Sequence, residues 1–275
     1  MATRTAFLQV ILTVFAVFTI EAPLVLAADG SARSGEEATT KSPPLQMGRY
    51  VETIALTDLI GEAGMKSFAP FMDSDHLIEF DVYVPKTYHA SRPAGLMVYV
   101  SPTAVGKIPT RWKQIIAERN LIWVSVNKSG NNMSLYRRMI EASISPAYIA
   151  KNYEIDPSRV YISGFSGGGR VSSLAATFYP QLFNGAIFMS GVDPWGVNPP
   201  ALMPLIKNNR FVFITGSNDF NLHETRDVFH SYEEAGIEQV KLMVINNLAH
   251  DIPGAGKLDE ALEFLDLGAQ LSPAP

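Results

Sequence analysis

Cysteine is absent from the sequence, and that one absence excludes disulfides, thiolate nucleophiles, Cys-ligated zinc and a lipid-modified cysteine. Charge is also sparse: 18% of residues are Asp, Glu, Lys or Arg, against roughly 25% in average soluble domains. The balance is acidic, 27 Asp plus Glu against 22 Lys plus Arg, with no run of basic residues. Nucleic-acid binding is therefore disfavoured, because nothing is available to neutralise a phosphate backbone. His-Glu-x-x-His and clustered ligand spacings are missing too, so neither a metal nor a nucleotide cofactor is expected.

Long apolar runs are lacking beyond the start of the chain. There Arg4 precedes an apolar stretch from Ala6 to Ile20, Glu21 and Pro23 break it, and Val25-Leu26-Ala27 leads into Ala28-Asp29. The pattern predicts a secretory signal over residues 1–27, with export to the periplasm or beyond and no membrane span left after its removal. Residues 28–44 are Ser, Thr, Gly, Glu and Pro with almost no large apolar side chain. Such a segment buries too little to offset the entropy of ordering and reads as a flexible linker. Residues 45–275 are then one domain.

Within that domain, runs rich in Val, Ile, Tyr and Phe recur between stretches of helical spacing. Tyr50 to Leu56 and Leu77 to Val84 have no evident long helix between them and predict antiparallel strands at one end of a sheet. Strand and helix then alternate: strands at 96–100, 121–126, 160–163, 186–189, 211–215 and 240–245, helices at 112–119, 135–151, after Gly168, 223–235 and 258–267. Alternation of this kind calls for parallel strands joined by crossover helices, about eight strands in all. The short gap between Met189 and Phe211 leaves little room for a lid.

The segment Val160-Tyr161-Ile162-Ser163-Gly164-Phe165-Ser166-Gly167-Gly168 places Gly-x-Ser-x-Gly between a strand and a helix, where the pattern means a nucleophile elbow. A serine on so sharp a turn needs small neighbours, and the turn leaves the Gly167 amide free at a helix N-terminus to bind a developing oxyanion. The serine requires a base, and the base an orienting acid. Of five histidines, His76 and His89 precede the nucleophile in the antiparallel end and read as surface residues. His223 and His230 share a helix. His250 follows the last strand and is the candidate base. Asp219, after the penultimate strand, is the candidate acid, with Asp193 and Asp251 as competitors. The second oxyanion donor is expected after the strand at 96–100, from Ser101 or Thr103, since Pro102 has no amide hydrogen. Trp112 and Trp195 are either pocket lining or packing. Asn127-Lys128-Ser129 and Asn132-Met133-Ser134 form glycosylation sequons, though their asparagines suit a loop after a strand.

These segments, with Phe178-Tyr179-Pro180-Gln181-Leu182-Phe183 and the loops around Asp219 and His250, resemble secreted polyhydroxybutyrate-depolymerase-like and feruloyl-esterase-like α/β hydrolases over roughly residues 75 to 268. The resemblance implies an α/β-hydrolase fold and cofactor-free cleavage of small-molecule or polymer-derived esters through an acyl-enzyme, with catalytic roles for Ser166, Asp219 and His250. One departure concerns the oxyanion hole: the family usually has His-Gly after the third strand, where this chain has Ser101-Pro102. Two other readings stay open, an amide or peptide hydrolase using the same triad and a non-catalytic binding protein on the hydrolase scaffold.

Overall fold

The structure, a computed structural model, describes residues 45–73, 75–194 and 202–271. The expected leader, the expected linker and Trp195 lie outside the described residues. The elements follow in the order β1 (Gly48–Ala55), α1 (Leu56–Phe68), β2 (Leu77–Val84), β3 (Ala94–Val100), a 3₁₀ turn (Thr110–Trp112), α2 (Lys113–Glu118) and β4 (Leu121–Val126). Then come α3 (Leu135–Ala150), β5 (Ile155–Phe165), α4 (Gly167–Phe178), β6 (Gly185–Met189), α5 (Met203–Ile206), β7 (Arg210–Gly216), α6 (Leu222–Glu234), β8 (Val240–Ile245) and α7 (Ala255–Leu271).

One eight-stranded sheet runs β1-β2-β4-β3-β5-β6-β7-β8. β1 and β2 pair antiparallel, and β2 runs antiparallel to β4. From β3 to β8 all neighbours are parallel. The reason lies in the strands themselves: every residue of β3, β4, β6 and β7 is buried, as strands covered by helices on both faces must be. Alternate residues feed two cores. Leu96, Val98, Ile162, Phe188 and Phe213 join the core under α1, α3, α4 and α6. Met97, Tyr99, Tyr161, Ile187 and Val212 join the other, with Trp112 and, from α7, Leu258, Leu262 and Leu265. Trp112 is thus packing: it is fully buried and its Nε1–H donates to the Pro253 carbonyl at 2.9 Å.

One sequence expectation fails here. A helix does separate the first two strands, and Leu56, Leu59, Ile60, Met65 and Phe68 of α1 are buried. Gly61 interrupts it at φ 67, ψ 172, so the apolar spacing restarts at a kink and no continuous helical period runs through the sequence. β5 also begins five residues before the expected Val160, where the ladder to β3 is irregular between Ala94 and Leu96.

Four of the five described non-glycine residues with positive φ, Lys128, Ser166, Ser190 and Asn247, follow directly on β4, β5, β6 and β8. Backbone strain is thereby gathered at the carboxyl edge of the sheet, where functional residues of open α/β sheets collect. The scaffold beneath it is close-packed: Phe188 lies fully buried with ring centroids of Phe211, Phe213 and Tyr232 at 6.1, 5.2 and 6.3 Å. Phe188→Ala is expected to cost about 3–5 kcal/mol through lost burial and a residual cavity, read as a lower denaturation midpoint at unchanged m-value.

Candidate active site

Ser166 links β5 to α4 with φ 54, ψ −123, a conformation that an L-residue holds only when its surroundings over-determine it. Those surroundings are visible. A methyl group on Gly168 would lie 1.9 Å from the Val100 carbonyl oxygen, one on Gly164 2.2 Å from the Gly168 oxygen, and one on Gly191 2.2 Å from the Ser166 oxygen. The Ser166 amide donates to the Met189 carbonyl at 2.8 Å, and its own carbonyl accepts from the Arg170 amide at 3.2 Å, opening α4. Gly164 and Gly168 therefore act as their spacing in the sequence implies, with Gly191, after β6, closing the turn from the other side.

The serine hydroxyl meets His250 Nε2 at 2.9 Å, and His250 Nδ1–H donates to Asp219 Oδ1 at 3.0 Å. Ser166, Asp219 and His250 stand on the loops after β5, β7 and β8. Those loops are tied together: Ser217 N–H donates to the Ile245 carbonyl, Asn218 N–H to the Leu248 carbonyl, and Asn247 N–H to Ser217 Oγ. The Asp219 side chain is fully buried, and its Oδ1 also accepts from the Asn221 amide at 2.8 Å. His250 lies between Phe165, at 4.9 Å between centroids, and Phe220, stacked at 4.1 Å. Such a chain can transfer a proton from the hydroxyl to an imidazole whose tautomer is fixed by the carboxylate.

The competing acids are engaged elsewhere. Asp193 accepts from Arg170 Nη1 at 2.7 Å, and Asp251 lies at the surface, 3.7 Å from Arg111. Arg170 also holds both oxygens of Glu224. Those contacts, with Glu224 foremost, raise the pKa of its guanidinium further. His89, His223 and His230 are exposed. His76 is not the surface residue its position suggested. Its Nε2 bonds Glu141 Oε1 at 2.9 Å, with only 13% of the side chain exposed. The antiparallel end carries it over α3, a tertiary contact that strand periodicity does not encode.

The same buried carboxylate, Glu141, accepts from Ser129 Oγ at 2.5 Å and Arg137 Nε at 2.8 Å. One residue along α3, Arg138 is 5% exposed and donates to the carbonyls of Ser129 at 3.0 Å, Ser101 at 2.9 Å and Gly167 at 3.4 Å. Burial lowers its pKa from the usual arginine value, yet a guanidinium in a protein stays charged. Arg138 thus joins the loops after β3 and β4 to the elbow.

Of the two residues expected to complete the oxyanion hole, Thr103 spends its amide on Ser101 Oγ at 3.1 Å. The Ser101 amide belongs to the peptide whose carbonyl, that of Val100, is aimed at Gly168, and in a trans peptide the N–H points the opposite way. Gly167 keeps its place at the first turn of α4 beside Ser166.

A cleft of about 380 Å³ opens over Ser166 and Gly167, bordered by Asn131, Leu135, Phe220 and Asp193. Phe220 is 75% exposed, an unusual position for so large an apolar ring. The sequence reading passed over Asn131, Arg138 and Phe220. Phe220 was legible as the residue after the candidate acid, whereas the arginine's role depends on carbonyls from three loops. Of the sequons, Asn127 is buried and structural, its Oδ1 accepting from the Gly106 amide at 2.8 Å and its Nδ2 donating to Glu79. Asn132 is exposed.

Residues 110–235, which include Ser166 and Asp219 but not His250, match the family described as "Putative esterase". No curated protein matches the chain by sequence. Among solved structures, the chain is similar to a ferulic acid esterase, with a TM-score of 0.57 at 15% identity over 82% of this chain and 98% of that one. It is similar to a mutant of the feruloyl esterase module from Clostridium thermocellum complexed with sinapinate, with a TM-score of 0.59 at 12% identity over 90% and 98%. It is also similar to a substrate-bound fluorophosphonate-binding serine hydrolase of Staphylococcus aureus, with a TM-score of 0.57 at 11% identity over 79% and 98%. Strand order and elbow are those of the α/β-hydrolase fold, as the likeness to these solved structures also shows, and the stretch that matches the esterase family is the one that carries the elbow.

Proposed function

We propose that the protein hydrolyses carboxylic esters through an acyl-enzyme on Ser166. The observation that carries this reading is the hydrogen-bonded chain Ser166 Oγ, His250 Nε2, His250 Nδ1, Asp219 Oδ1, at 2.9 and 3.0 Å. Ser166 Oγ adds to the carbonyl carbon as its proton passes to His250 Nε2, and the carbonyl π pair moves to oxygen, where the Gly167 amide receives it. Collapse breaks the bond to the alkoxide, which takes the proton from His250. Water then repeats the sequence on the acyl-enzyme and releases the acid. Asp219 keeps Nδ1 protonated and stabilises the imidazolium.

The cleft favours uncharged esters with an apolar part. Of the two arginines that line it, Arg170 is balanced by Asp193 and Glu224 and Arg138 is turned onto backbone carbonyls, while Phe220 and Leu135 offer apolar surface beside the nucleophile. The volume suits a small molecule or the end of a polymer-derived chain. The feruloyl esterase module noted above was solved with sinapinate, and an aromatic acyl group stacked near Phe220 is the corresponding proposal here. Export rests on the leader pattern of residues 1–27. Among the described residues, no helix is long and apolar enough to cross a membrane.

Hydrolysis of short-chain nitrophenyl esters by the protein lacking residues 1–27 is the direct assay. Ser166→Ala is expected to lower kcat by on the order of 10⁶ or to background; equal rates in both proteins would remove the acyl-enzyme from consideration. Asp219→Asn keeps the shape but favours the wrong histidine tautomer, so a drop of about 10²–10⁴-fold in kcat with little change in KM is expected. An Asp193→Asn variant losing more than Asp219→Asn would move the acid's role to Asp193. A matched nitroanilide measured beside the ester separates ester from amide hydrolysis, and the ester is expected to be the faster substrate.

A further inference from the structure

The oxyanion hole has one backbone donor at the elbow and, on the side of β3, a loop in which neither the Ser101 nor the Thr103 amide is free to serve. Pro102 has no N–H, Thr103 N–H is held by Ser101 Oγ at 3.1 Å and Val105 N–H by Thr103 Oγ1 at 3.3 Å. The Ser101 N–H turns away because its peptide carbonyl faces Gly168. A tetrahedral oxyanion bound by a single amide is poorly stabilised.

Another amide stands at the same place. A methyl group built on Gly167 would lie 2.2 Å from Asn131 Oδ1 and 2.7 Å from Asn131 Nδ2. The Asn131 carboxamide therefore lies against the very residue whose N–H forms the first donor, and it borders the cleft with Ser166. Neither Oδ1 nor Nδ2 has a hydrogen-bond partner among the described residues. Rotation about χ2 exchanges the two atoms, so an anion arriving there can draw Nδ2–H toward it.

The backbone carrying this side chain is fixed relative to the elbow. Asn131 N–H donates to the Pro102 carbonyl at 2.9 Å, and Lys128 N–H to the Ala104 carbonyl at 2.7 Å. Gly130 packs so closely that a methyl group there would sit 2.7 Å from the carbonyl carbon of Thr103. Arg138 ties Ser129, Ser101 and Gly167 with one guanidinium. Supports of this kind hold a donor in place before charge develops, which gives an oxyanion hole its effect.

We propose that Asn131 is the second oxyanion donor, a side-chain amide replacing the backbone amide that the Ser101-Pro102 turn cannot supply. The inference rests on the acyl-transfer reading above. As the bond from Ser166 Oγ to the carbonyl carbon forms, the C=O π pair moves to oxygen and is received by Gly167 N–H and Asn131 Nδ2–H. The serine proton goes to His250. Arg138 acts as a positioning residue for both donors, with its charge close behind Gly167.

The experiment is steady-state hydrolysis of a nitrophenyl acetate by the protein lacking residues 1–27, compared among wild type, Asn131→Ala, Asn131→Asp and Ser166→Ala, with thermal unfolding of each. Asn131 is exposed and its side chain holds no structural bond, so its variants should melt as wild type does. Asn131→Ala is expected to lower kcat by about 10²–10³-fold with KM within about threefold. Asn131→Asp, similar in size with an acceptor for the donor, should lose at least as much. An Asn131→Ala kcat within about threefold of wild type, while Ser166→Ala is inactive, overturns the role of Asn131 alone. A wild-type rate no higher than that of Ser166→Ala overturns the acyl-transfer reading and this inference with it.

Discussion

At the carboxyl edge of the sheet the Val100 carbonyl presses on Gly168 so closely that a methyl group there would sit 1.9 Å from its oxygen. The site depends on this approach between β3 and the first turn of α4. It lets Ser166 stand at φ 54, clear of the sheet, and it fixes where the helix N-terminus meets the incoming β3 loop. The same contact turns the Ser101 amide away from the elbow. The constraint that holds Ser166 out of the sheet thus also turns an amide away on the β3 side, and the loop after β4, through Asn131, borders the space left behind.

Charge is arranged around this point in two layers. Behind the elbow, Arg138 is buried among carbonyls and Glu141 is satisfied by His76, Ser129 and Arg137. In front, Arg170 is matched by Asp193 and Glu224. Buried charges persist only when paired or hydrogen-bonded, and Glu141 and Arg138 each have such partners. Beside the imidazole the cleft carries an exposed aromatic ring, that of Phe220.

Much of this was legible in the sequence. Unbroken apolar runs gave β3, β4 and β7 because strands buried on both faces carry no alternation to misread. The strand-Gly-x-Ser-x-Gly-helix context gave the elbow, and the loops after the last two strands gave Asp219 and His250, because parallel strands deliver all their ends to one edge. What escaped had other causes. α1 was hidden by Gly61, whose positive φ breaks the helical period. His76 and Arg138 act through partners far away in the chain, which periodicity cannot link. Ser101 and Thr103 both fail as donors because of one peptide plane's direction and one side-chain hydrogen bond, neither of which residue identity specifies.

The central claim is that one hydroxyl, that of Ser166, is activated by His250 and Asp219. Labelling the protein lacking residues 1–27 with a fluorophosphonate, followed by intact mass and peptide mapping, tests it most directly. The account predicts a single stoichiometric adduct on Ser166, absent from Ser166→Ala and formed much more slowly in His250→Ala. No adduct, or one on another residue that persists in Ser166→Ala, would contradict it and leave a hydrolase scaffold used for binding.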